Sequence, residues 1–205
     1  MKHRAWLASA SVLLVLTVLS VPVAALEEAD RLYLVGERAV GDGLHGLAAR
    51  VLERFISGYP NDARVATATL LLGRAWLGAG LHERALEVFR KAQKMSPPPG
   101  RPLEARLWEG EALFRLKRYA EARTVFDEVA RSEVAAPLAP DALYGLAWTE
   151  LESRRLEAAA KHFRELLAAT PEHALAPPAT FYLARTLAST PSTLRTPSKA
   201  FTASA

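Results

Sequence analysis

An all-α fold, a solenoid of antiparallel helix pairs, is predicted for this 205-residue chain by two observations. The first is a period of 37. Stepping by 37 from the small residue Gly36 gives Gly73, Gly110, Ala147 and Ala184. Twelve residues after the first four stand Ala48, Ala85, Ala122 and Ala159, and sixteen after them stand Leu52, Phe89, Phe126 and Phe163. A fixed period between about 20 and 50 residues marks stacked units, each hiding its apolar face against its neighbours. The second observation is the spacing inside a unit. Leu143, Leu146, Ala147 and Leu151 recur at helical intervals, and so do Leu156, Ala159, Phe163, Leu166 and Leu167 after the polar turn Ser153-Arg154-Arg155. Each unit therefore reads as helix, turn, helix.

Taken in chain order, residues 1–25 read as an export signal: basic MKHR, an apolar stretch around VLLVLTVL, then Pro22 and the small-residue ending VAA. Val23 and Ala25 fit the minus-three and minus-one positions of a signal-peptidase site, which predicts a mature start at Leu26. The alternative is an uncleaved anchor, since Ala5 to Val21 is weakly polar over a length at the low end for crossing a bilayer. The chain has no cysteine, which excludes a lipid-modified cysteine at the cut, disulfides and thiolate metal sites. The expected location is the bacterial periplasm, with no membrane span once the signal is removed.

The array proper is expected over residues 26–188, with units near 29–62, 63–99, 103–136 and 140–173 and a half unit at 177–188. Pro60, Pro97 and Pro171 close three of the units at equal spacing, because proline cannot continue the helix before it. The third unit has Val134 there and delays its proline to Pro137, so the seam between units three and four is expected to be the least regular. Pro140 and Asp141 suit a helix start. Two acids interrupt the apolar columns. Glu109 stands where other units have Val35, Leu72, Leu146 and Leu183, and Glu150 where they have Ala39, Trp76, Leu113 and Leu187. Both predict local looseness, or carboxylates reaching to the edge of the stack. GDGLHG, between the two helices of unit one, reads as a flexible turn, and His45 and His82 fall at equivalent turn positions.

The half unit opens with ATFYLARTLA, but the next expected alanine and aromatic are Thr196 and Ala200. Residues 189–205 contain ten Ser, Thr and Pro and no acid, which predicts a disordered tail. A capping helix followed by a linker and a chain that is truncated or frameshifted here both fit this ending.

The pattern of small residue, alanine, aromatic and proline, carried by LLGRAW with RALEVF and Pro97, EGEALF with EARTVF, and GLAWTE with AAAKHF and Pro171, resembles the tetratricopeptide repeat. That resemblance implies a right-handed superhelix whose concave side is lined by the first helix of each unit. The usual unit is 34 residues, and here the three extra residues sit in the linkers. This longer linker resembles the repeats of exported envelope proteins, including the periplasmic partner of the Tol–Pal system and outer-membrane assembly lipoproteins.

Charge and chemistry narrow the function. The pI of 9.6 comes from the two ends: setting aside Lys2, Arg4, Arg195 and Lys199 leaves 22 bases against 22 acids in the body. A nucleic-acid interface needs a clustered basic excess, and none is present. The sequence has no nucleophile elbow, phosphate-cradling glycine loop or paired-carboxylate signature, and its five His lack metal-ligand spacing, so neither an enzyme nor a cofactor or metal protein is predicted.

Function then rests on the surface of the stack, and such surfaces bind extended or helical peptides of protein partners. In the family resembled, groove positions lie three before and one after the small residue. Here the first column is Tyr33, Leu70, Leu107, Tyr144 and Phe181, and the second is Glu37, Arg74, Glu111, Trp148 and Arg185. The alternative is that the apolar column packs between units. Tyr144, Trp148 and Phe181 are expected to form one anchor patch, with Arg74, Glu111 and Arg185 as rim charges. Two functions fit: an exported scaffold binding a peptide or helix of an envelope protein, or the helical arm of a larger envelope enzyme or assembly factor.

Overall fold

The computed structural model describes residues 23–189 apart from residues 99 and 102. The predicted signal lies outside these residues except for its last three, and the cut expected after Ala25 falls in the first turn of the first helix. The predicted tail also lies outside them, but for Ser189. Among the described residues the chain forms nine α-helices: α1 Val23–Gly41, α2 His45–Gly58, α3 Val65–Gly78, α4 His82–Ala92, α5 Glu104–Arg115, α6 Tyr119–Arg131, α7 Ala139–Glu152, α8 Leu156–Ala169 and α9 Ala176–Ser189. They pair in chain order, and α9 packs on α8. No described helix is long and apolar enough to cross a membrane.

The 37-residue columns are the packing contacts. Ala48, Ala85, Ala122 and Ala159 are fully buried, and the large residues four positions on have lost nearly all contact with solvent. Each of the three glycines receives one of them. A Cβ on Gly36 would come within 2.6 Å of Leu52, on Gly73 within 2.4 Å of Phe89 and on Gly110 within 2.7 Å of Phe126. The small column is therefore a row of sockets for the side chains sixteen residues later, and a methyl group at any of the three would displace the residue it holds.

The turn inside each unit repeats as well. Gly43, Gly80, Lys117 and Arg154, spaced by 37, all adopt the left-handed region at φ of 60° to 78°. The next amide in each unit, that of Leu44, Leu81, Arg118 or Arg155, donates to the carbonyl of Ala39, Trp76, Leu113 or Glu150. This is a helix-ending motif that satisfies orphan carbonyls and favours glycine at the left-handed position. Units one and two supply glycine; units three and four do not. GDGLHG is thus a defined turn, and His45 and His82 are the first residues of α2 and α4.

The seam between units three and four carries a 3-10 helix, Glu133–Leu138, with Pro137 inside it and Ala135 and Leu138 fully buried. The linker before α5 is irregular too. Leu103, the residue before that helix, sits at φ 60°.

The two acids placed in apolar columns correct the expectation of looseness. Glu109 is 2% exposed and held from three sides: Arg90 Nε donates to Oε1 at 2.8 Å, and Gln93 Nε2 and Arg106 Nη1 donate to Oε2 at 2.9 and 2.7 Å. Arg106 also donates to Glu128 through Nε and Nη2. The network joins the end of α4 to α5 and α6. Burial alone would push the Glu109 carboxyl up, but the donors from Arg90, Gln93 and Arg106 outweigh it and hold it below its ordinary value. Glu150 is likewise buried and paired with Arg155. Neither carboxylate reaches the edge of the stack.

Candidate functional site

First helices approach one another, α1 with α3, α3 with α5 and α5 with α7, whereas no contact of similar extent joins two second helices. First helices therefore line the inner side of the curve. On that side, between α5 and α7, lies a pocket of about 540 Å³. Leu107, Glu111, Phe114 and Arg115 line it from α5, a set at i, i+4, i+7 and i+8 and so on one helical face. Asp141, Tyr144, Gly145, Trp148 and Glu152 do the same from α7, with Trp108, Phe126, Leu175 and Arg101 completing the wall.

One missing side chain shapes this pocket. Positions equivalent to Gly145 hold Leu34, Leu71, Trp108 and Tyr182 in the other units. At Gly145 the Phe126 ring takes that space, so close that a Cβ there would meet it at 2.7 Å. Phe126 is thus gripped by Gly110 on one side and Gly145 on the other, and it carries the seam between the third and fourth units.

Of the ten groove residues expected from the sequence, Leu107, Glu111, Tyr144 and Trp148 come together in this pocket. The other six do not line it. Tyr33 packs edge-on to Phe55 at 5.6 Å between ring centres and donates to exposed Glu37 at 3.4 Å. Burial and neighbouring Glu37 push the Tyr33 hydroxyl up. Leu70 departs from the expectation of a groove residue: it is 4% exposed and belongs to the core, with Gly100 of the linker before α5 lying over it. Arg74 lies over the Trp108 ring at 5.0 Å, and Arg185 over Tyr182 at 5.9 Å. Glu111 accepts from Arg115 at 2.7 Å. These polar residues are already engaged within the protein.

Phe181 is the second correction. It is 60% exposed and meets Tyr182, whereas it is Tyr182 that closes on Trp148, at 4.5 Å between ring centres. Tyr144 meets Trp148 at 6.3 Å and Phe163 at 5.9 Å. The aromatic cluster is therefore Tyr144, Trp148 and Tyr182. Sequence reading passed over Tyr182 and Gly145, although both occupy the same 37-residue column and the lone glycine in it was the available signal.

Among the described residues no group of His, Asp and Glu is arranged to hold a metal ion. His162 instead bonds Glu165 at 3.0 Å.

The tetratricopeptide repeat pattern matches residues 33–98, 100–133 and 109–174, more than half of the sequence and all four helix pairs. The chain belongs to the tetratricopeptide repeat family. Solved tetratricopeptide proteins share its fold. "MamA RS-1 ArsTM double mutant" is 22% identical with a TM-score of 0.61, over 78% of this chain and 84% of that one. "MamA 41-end from Desulfovibrio magneticus RS-1" is 21% identical with a TM-score of 0.58, over 78% of this chain and 94% of that one. "MamA MSR-1 C2" is 18% identical with a TM-score of 0.55, over 82% and 88%. At such identities the likeness shows the fold. No curated protein matches the sequence. Tetratricopeptide arrays generally serve as scaffolds for protein–protein interaction.

Proposed function

We propose that this chain is an exported scaffold of the bacterial cell envelope that binds a segment of a protein partner on its inner face, in the pocket between α5 and α7. The observation that carries this reading is that pocket, walled by Leu107, Trp108, Phe114, Tyr144 and Trp148. Apolar and aromatic walls with a few polar groups at the mouth are what a peptide anchor requires. Export is supported by the basic start, apolar stretch and VAA ending of residues 1–25.

Site-directed photocrosslinking in intact cells tests the binding of a partner at the pocket. A photoreactive residue at Arg115, on the exposed pocket rim, is expected to capture a partner, while one at exposed Arg164 on α8 is not. Equal capture from both positions would remove the pocket assignment. Export is tested separately by the amino terminus of the periplasmic protein, expected at Leu26.

A further inference from the structure

The charges around the pocket are unequal once their internal pairing is counted. Its two cations are occupied: Arg115 pairs with Glu111 at 2.7 Å and Arg101 with Glu104 at 3.4 Å. Two of its carboxylates, Asp141 and Glu152, are in no ion pair among the described residues. Glu152 accepts only from the neutral Tyr119 hydroxyl, which burial and this carboxylate together push up. Asp141 sits in the first turn of α7. The pocket thus presents two uncompensated negative groups.

Their placement sets a register. Eleven residues of α-helix separate Asp141 from Glu152, a rise of about 16 Å, so the two carboxylates mark opposite ends of the pocket. Between them, on the same face, lie Tyr144, Gly145 and Trp148 around the apolar floor. An extended chain advances about 13 Å in four residues and points residues i, i+2 and i+4 to one side.

Resting on the reading of this pocket as a partner site, we propose that its occupant is an extended, cationic peptide segment of the form Lys/Arg-x-Φ-x-Lys/Arg. The large apolar side chain Φ enters between Leu107, Tyr144 and Trp148. The flanking cations reach Asp141 and Glu152. Acidic segments are turned away, because every free charge at the pocket has their own sign.

The test uses the full chain and three fluorescent heptapeptides, Gly-Lys-Gly-Phe-Gly-Lys-Gly, its Glu-for-Lys counterpart and its Ser-for-Phe counterpart, with fluorescence anisotropy as the readout. The Lys-Phe-Lys peptide is expected to bind at least tenfold more tightly than either of the others. Asp141→Asn with Glu152→Gln, a neutralising pair that removes no buried ion pair, is expected to weaken it about tenfold and to flatten its salt dependence. Equal binding of the Lys and Glu peptides, with both lost in Trp148→Ala, would overturn the charge inference and leave the pocket standing. Failure of all three peptides, or binding unchanged by Trp148→Ala, would overturn both. Circular dichroism of each variant separates loss of binding from loss of fold.

Discussion

At the scale of single residues, the buried carboxylate and the two strained turns each have a measurable energetic consequence. Glu109 has its pKa held below the ordinary 4.5 in the folded chain. A depressed acid contributes stability that is present above its unfolded pKa and is lost as pH falls through the folded one. Stability is therefore expected to decline below about pH 4.5, and Glu109→Gln is expected to reduce that slope, as urea titrations at pH 3 to 7 would report. At neutral pH the same substitution is expected to cost about 2 to 4 kcal/mol, since Arg90 and Arg106 lose a shared buried partner. Lys117 makes the opposite case. Its left-handed backbone matches Gly43 and Gly80 in units one and two, so Lys117→Gly is expected to raise stability by about 1 kcal/mol. No gain in the urea midpoint would mean that the turn is held by contacts of the lysine side chain.

The helices were legible in the sequence because their contacts are periodic. A column of small residues opposite a column of Leu and Phe is a packing instruction that repeats, and the structure seats Leu52, Phe89 and Phe126 on Gly36, Gly73 and Gly110. What was not legible is what breaks the period. Glu109 in an apolar column looks like a defect when its own unit is read alone, because Arg90 and Gln93 come from the neighbouring unit, 19 and 16 residues away. The pocket was half legible: its anchors Tyr144 and Trp148 stood in the expected columns, but the seating of the Phe126 ring against Gly145 was not read. Phe181 was preferred to Tyr182 by family register, whereas the contact of Tyr182 with Trp148 repeats that of Trp108 with Arg74 two units earlier. At this scale the sharpest prediction concerns Phe126, which is 2% exposed and clasped by two glycines from successive units. Phe126→Ala is expected to cost about 3 to 5 kcal/mol. A cost below about 1 kcal/mol would contradict the socket assignment.

For the molecule as a whole, the stack explains how repeated helix pairs present a surface for a partner. Each unit touches only its neighbours, so curvature follows from small rotations repeated at each seam, and a continuous inner face follows from the first helices standing side by side. A local change in that face, one glycine for one large residue, then seats Phe126 against α7 without interrupting the array. The seam that bears the pocket is also the one bridged by a 3-10 helix and spanned by Phe126, so partner binding and the integrity of the third and fourth units share residues. The central claim is that the inner face at Tyr144 and Trp148 is where a partner binds. It is tested most directly by the affinity of a Tyr144→Ala, Trp148→Ala double variant for the partner captured through Arg115, with circular dichroism as the fold control. The expected result is a folded double variant whose binding is weaker by about 2 kcal/mol or more, roughly thirtyfold. Full binding by a folded double variant would contradict it.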